Sequence, residues 1–160
     1  MKTRTSILAL ALWVVSCARQ TELDLHYREF MANTTDTKLR ALATLEYRMD
    51  KYSELHGGYV GLLRITDGID QFEALLLARS FITVTSGSEM EPDLPVLKGG
   101  TWVVPTSFGL PRRDGYPVLI DERSGRIDCR GYESVTDPEE FLRRPYSPNK
   151  ISEVNGQVKK

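Results

Sequence analysis

Thr37–Gly58 reads TKLRALATLEYRMDKYSELHGG, and its spacing sets how the chain is organised. Leu39, Leu42, Leu45, Met49 and Tyr52 recur every three or four residues, while Lys38, Arg40, Arg48, Asp50 and Lys51 fall mostly on other faces. Such a period is one apolar stripe on an α-helix. The run predicts a helix over Thr37–His56, stopped at Gly57-Gly58 because glycine takes the left-handed conformation that closes a helix. On this reading Leu42 and Leu45 face the core and Arg40 faces solvent.

Downstream, Tyr59–Ile65 is a short apolar segment. A second helix is expected from Asp67 to Phe81, with Asp67 as its N-cap and Ile69, Phe72, Leu75 and Leu76 facing inward. Thr85–Gly100 holds Gly, Ser and Pro and reads as a long loop. Thr101–Pro105, Tyr116–Asp121 and Arg126–Tyr132 read as strands, the last two joined by Glu122-Arg123-Ser124-Gly125 as a hairpin turn. Asp137-Pro138 opens a short helix through Arg144, since Pro suits the first helical turn. Helices followed by a small antiparallel sheet make the chain α+β. The long helix is expected to lay its stripe across that sheet, because a two-stranded hairpin needs a further layer over its apolar face.

Upstream, Asn33-Thr34-Thr35-Asp36 interrupts the chain with turn and cap residues, and Asp24–Ala32 is a candidate short helix. Ala18–Leu23 reads as a polar tether. Lys2 and Arg4 precede Ser6–Ser16, which is almost wholly apolar. That pattern is the basic and apolar part of a secretory signal, and it is too short for a membrane-spanning helix, which needs about twenty residues. The run VVSC, Val14–Cys17, resembles the bacterial lipoprotein signal. The resemblance implies that the Cys17 thiol receives a diacylglyceryl group, that the chain is cut before Cys17, and that the new amine is acylated with a palmitate-type chain. Ordinary secretion, with cleavage elsewhere and Cys17 free or paired, is the alternative. Ala18 stands where some bacteria carry an inner-membrane retention aspartate, which favours the outer membrane. The expected organisation is signal peptide 1–16, tether and candidate short helix 17–36, globular domain 37–144, and polar tail 145–160.

The 144 residues from Cys17 onward (160 less 16) suit one domain with a real core. Without Lys2 and Arg4, 19 basic residues face 22 acidic ones, and no basic stripe points to nucleic acid. Cys129 is the only other cysteine, and no Cys/His cluster suggests a metal or a dithiol site.

Two stretches resemble the soluble domain of type II secretion pseudopilins, the pilin-like family. In Tyr52–Val60, YSELHGGYV, the residues Tyr52, Gly57 and Tyr59 match the family's helix-closing pattern, and Val60 replaces its proline. In Leu110–Tyr132, Asp114 and Pro117 match the lead into the family's sheet, without its tryptophan. The resemblance implies a pilin-like fold with these five residues in structural roles. This chain shows neither the long apolar helix nor the glycine cleavage site with which that family begins, so the resemblance concerns the globular part alone. The family's calcium loop has no counterpart, and no metal ligand is assigned.

Catalytic candidates are few. Cys129 shares a strand face with Ile127 and reads as a small core residue; the alternative is a thiolate activated by Arg126 or Arg130, which strand alternation places on the opposite face. His56 precedes the glycine pair, where imidazole complements the helix C-terminus. Asp67, Asp70 and Glu73 fit the opening of a helix better than a calcium site. Tyr47, Tyr52, Tyr59, Trp102, Phe108, Tyr116 and Tyr132 could serve a core or a binding patch. The chain is thus expected to be a lipid-anchored envelope protein acting through protein contacts, with no catalytic residue, metal or cofactor assigned and no nucleic-acid partner. The alternative is a lipid-anchored hydrolase or thiol enzyme using Cys129 or His56.

Overall fold

The computed structural model describes residues 21–85, 90–109 and 111–143. Helix α1 (Glu22–Asn33) opens at Thr21: Thr21 Oγ1 accepts from the Asp24 N–H at 3.4 Å, and the Asp24 carboxylate accepts from the Thr21 N–H at 2.9 Å. This reciprocal box satisfies two backbone donors that a helix start leaves open. The helix thus begins within the expected tether. Asp36 caps α2 (Thr37–His56), accepting from the Lys38 and Leu39 N–H groups, and Gly57 closes it at φ 72°.

A 3-10 turn at Ile65–Asp67 precedes α3 (Gln71–Thr85). The expected start at Asp67 is corrected, because Gly68 at φ 89° turns the chain between Asp67 and the helix. The cap is Asp70, whose Oδ1 accepts from the Glu73 N–H at 2.8 Å while Glu73 Oε2 accepts from the Asp70 N–H at 3.1 Å. Glu73 Oε1 also takes the Arg64 N–H at 2.6 Å, so this carboxylate, only 7% exposed, has both oxygens occupied. Burying a charge is tolerable only when it is hydrogen-bonded in this way.

Seven short strands follow: β1 (Met90–Pro92), β2 (Val96–Lys98), β3 (Thr101–Val104), β4 (Thr106–Phe108), β5 (Arg113–Asp114), β6 (Val118–Asp121) and β7 (Ile127–Cys129); α4 (Pro138–Arg143) comes after them. They form two antiparallel sheets, ordered β2-β3-β6-β7 and β1-β4-β5. The β6–β7 hairpin turns where expected, with Asp121 Oδ1 accepting from the Arg123 and Ser124 N–H groups. Gly125 at φ 69° completes the turn, and a Cβ there would come within 3.0 Å of Pro138 Cγ. The expected long loop over Thr85–Gly100 is corrected, since β1 and β2 lie inside it. Three-residue strands carry no readable alternation, and their pairing is set by the partner strand.

The chain is α+β, but the helix that covers the sheet is α3. Ala74, Leu77, Ala78, Phe81 and Ile82 pack with Val104, Val118, Ile120, Ile127 and Cys129 in one core cluster. On the other side of α3, Phe72, Leu75 and Leu76 pack with Met49 of α2, joined by half-buried Leu42, Leu45 and Tyr59. The expected packing of the Leu39–Tyr52 stripe on the sheet is therefore corrected: α2 lies on α3, and α1 lies on α2. Leu39 is 43% exposed. Arg40 also departs from its expected solvated role, for its Nη1 donates to Met31 O at 2.5 Å and Thr34 O at 3.0 Å, where α1 ends.

Leu76→Ala and Met49→Ala should each lower the free energy of unfolding by about 2–5 kcal/mol in urea titrations. Leu39→Ala should lower it by less than about 1 kcal/mol. Equal losses at all three positions would contradict the central place of α3.

Candidate functional site

Helix α1 has no buried residue and is tied to α2 largely through polar contacts. Tyr47 Oη donates to Asp24 Oδ1 at 2.6 Å, and Lys51 Nζ reaches both Asp24 oxygens at 3.0 and 3.1 Å. Tyr27 stacks on Tyr47 with ring centroids 4.2 Å apart, and its hydroxyl shares a hydrogen bond with Thr44 Oγ1. Arg40 makes the corresponding link at the other end of α1. The two helices therefore run antiparallel. The Tyr47 hydrogen bond, then the Thr21 N–H and Lys51, hold the Asp24 carboxyl well below the usual carboxylate range. The same carboxylate raises the pKa of Tyr47 and Lys51.

These tethers leave an open groove of about 340 Å³ between the helices. Leu23, Tyr27 and Phe30 line it from α1, and Leu39, Leu42 and Ala43 from α2. Glu46 and Asp50 stand on the α2 ridge that divides this groove from a second, charged cleft of about 360 Å³ beside α3 and β1. In that cleft Arg79 Nη1 lies 2.9 Å from Asp50 Oδ1, and Arg112 pairs with Glu91 at 3.0 Å. The Glu46 side chain makes no hydrogen bond or ion pair among the described residues; burial pushes its carboxyl up, Arg79 opposes that, and Asp50 and Glu91 add to it. A ligand spanning the ridge would meet apolar walls on one side and paired charges on the other.

The two residues named for chemistry are not brought together. Cys129 lies in the sheet-side core, 8% exposed, where burial raises its thiol pKa. Arg126 pairs with Asp128 at 3.0 Å, and the Arg130 guanidinium sits 4.8 Å over the Tyr116 ring. Neither contact brings a cation to the sulfur. His56 ends α2, exposed, with its ring 4.2 Å from that of Tyr52. Asp70 and Glu73 are committed to the start of α3.

The pilin-like motif positions form two separate groups. Tyr52 Oη donates to Val60 O at 2.9 Å, Gly57 supplies the left-handed stop, and Tyr59 packs on the Met49–Phe72 cluster, so these three shape the turn after α2. Asp114 lies in β5 opposite Ser107, and Pro117 leads into β6. Cys17 lies outside the described residues. No protein family, curated protein or solved structure matches the chain.

The groove itself escaped the sequence reading. Its signal is present in Leu23, Tyr27 and Phe30, spaced i, i+4, i+7 behind the Thr21–Asp24 capping box.

Asp24→Asn should speed amide exchange across residues 22–33 while leaving exchange in α3 nearly unchanged. The folded pKa of Asp24 lies below its unfolded value near 3.8, so its contribution is complete above that value and is lost as pH falls through the folded pKa. The folded pKa of Lys51 lies above 10.5, so its contribution is complete below 10.5 and is lost as pH rises through the folded pKa. Exchange across α1 should therefore be slowest, after correction for intrinsic rates, between those limits. Separately, Cys129 should react with a neutral-pH thiol reagent at least tenfold more slowly in the native protein than in urea. Equal rates would place the sulfur in the open and revive a thiol enzyme.

Proposed function

We propose that this chain is a bacterial envelope lipoprotein, anchored through acylated Cys17 and acting through contacts with protein partners. The observation that carries the reading is the VVSC run, with Cys17 only four residues ahead of the Thr21 cap. Each buried methylene contributes about 0.8 kcal/mol, and stable anchoring takes more than one chain, so a multiply acylated cysteine would hold the domain without a spanning helix. No described helix is long and apolar enough to cross a membrane. Ala18 after the cysteine, where some bacteria carry an inner-membrane retention aspartate, favours the outer membrane over the inner one. A secretion-associated, pseudopilin-like role is the narrower form of the proposal; it rests on the sequence matches at Tyr52, Gly57, Tyr59, Asp114 and Pro117 alone, and the packing of α2 on α3 rather than across the sheet lends it no support.

Intact-mass analysis of the mature protein tests the anchor. Acylated Cys17 at the N-terminus is expected, and Cys17→Ser should leave an uncleaved, unacylated precursor. A mature wild-type chain with an unmodified N-terminus would overturn the reading.

A further inference from the structure

The α1–α2 groove has apolar walls and a defined neighbour. Cys17 stands four residues before Thr21, so covalent reach holds its sulfur-bearing residue within about 14 Å of the start of α1. The groove runs alongside α1, a helix of 12 residues that extends about 18 Å. Because α1 and α2 are antiparallel, the end marked by Leu23 and Asp50 lies at the Thr21 side of α1, and the end marked by Phe30 and Leu39 lies at the far side. A chain leaving Cys17 and following α1 would pass the polar end first and the apolar end last.

We infer that this groove seats one of the acyl chains carried on Cys17, while the remaining chains stay in the bilayer. The inference rests on the lipoprotein reading above. Tethering argues for this occupant: a group on so short a linker is presented at an effective concentration on the order of millimolar, without any added contact. Charge argues for it as well. The groove lining carries the Glu46 carboxylate, Asp50 paired with Arg79, and His26, but no Lys or Arg that would hold the head of a free fatty acid or an anionic lipid. The ester and amide linkages of an acylated cysteine carry no charge and need no such partner. The flat bilayer surface is a poorer occupant, since Glu22, Asp24, Glu29, Glu46, Asp50 and Glu54 outnumber Arg28, Lys38, Arg40, Arg48 and Lys51 on the same two helices. The 145–160 tail, PYSPNKISEVNGQVKK, is too polar to fill an apolar groove.

The test loads the lipoprotein biosynthetically with a diazirine-bearing palmitate analogue. The mature protein is placed in nanodiscs with an excess of isotopically heavy, unlabelled copies, then irradiated and mapped by mass spectrometry. Crosslinks within the same copy to residues 23–30 and 39–47 are expected, and Ala43→Trp, which fills the groove, should reduce them at least fivefold. Acylated protein whose crosslinks go only to lipid, to other parts of the chain or to heavy copies would overturn the inference and leave the lipoprotein reading intact. An unmodified Cys17, seen by intact mass before irradiation, would remove both.

Discussion

The fold depends on α3 being covered from two sides. Its run Ala74-Leu75-Leu76-Leu77-Ala78 is apolar around the whole helix, and all five residues are fully buried. A helix of that kind cannot present a polar face to water and has to sit between two layers. The four-stranded sheet supplies one cover through Val104, Val118, Ile120 and Ile127, and α2 supplies the other through Met49. The sheet takes the small residues Ala74 and Ala78 together with Phe81, and α2 takes Phe72, Leu75 and Leu76. Remove either cover and a row of leucines or a sheet face is returned to solvent, so neither layer is stable by itself.

That constraint makes the polar fixings around α3 intelligible. The helix begins at a buried Glu73 whose oxygens take backbone donors from Arg64 and Asp70. Just ahead of it, Ile69 O accepts from Trp102 Nε1 at 2.6 Å, and the Ile69 N–H donates to Glu122 O at 2.6 Å. The turn before the helix is thereby fastened to β3 and to the β6–β7 hairpin. Gln71 Nε2 adds a bond to Pro95 O at 2.8 Å. These bonds fix where the central helix starts relative to the sheet, which apolar packing alone specifies loosely because it is non-directional.

Much of this is written locally in the chain, and the parts that are not share a cause. The ends of α2 are legible from Asp36 and Gly57, and the β6–β7 turn from Ser124-Gly125, because caps and turns depend on neighbours in sequence. The central place of α3 is legible too, once an apolar run is distinguished from an apolar stripe. The stripe on α2 looks wider than it is, for Leu39 remains largely exposed and only Met49 is fully covered. Strands β1, β2, β4 and β5 carry two or three residues each, so their existence is decided by partners elsewhere in the chain. The groove is hardest to read. Its walls are spaced regularly on α1 and α2, but the contacts that join them, Asp24 with Tyr47 and Lys51 and Arg40 with Met31, link residues between 9 and 27 positions apart. Arg40 shows the difficulty, since a basic residue on a polar face looks solvated until its acceptors are known.

The attachment of α1 has a mechanical side. Tension on the chain ahead of Thr21 meets α2 first at Thr21, whose Oγ1 accepts from Lys51 Nζ at 3.1 Å, and then at Asp24 through the Tyr47 hydroxyl and the Lys51 ammonium. Those bonds are short and partly wet, whereas the α2–α3 contact beyond them is packed hydrocarbon. Loaded in that order, α1 would peel from α2 before the core felt the force. Once peeled, its 12 residues could lengthen from about 18 Å of helix to about 40 Å of extended chain. A domain held this way can ride out a pull applied ahead of Thr21 by paying out slack, while the helix-on-sheet body keeps its shape.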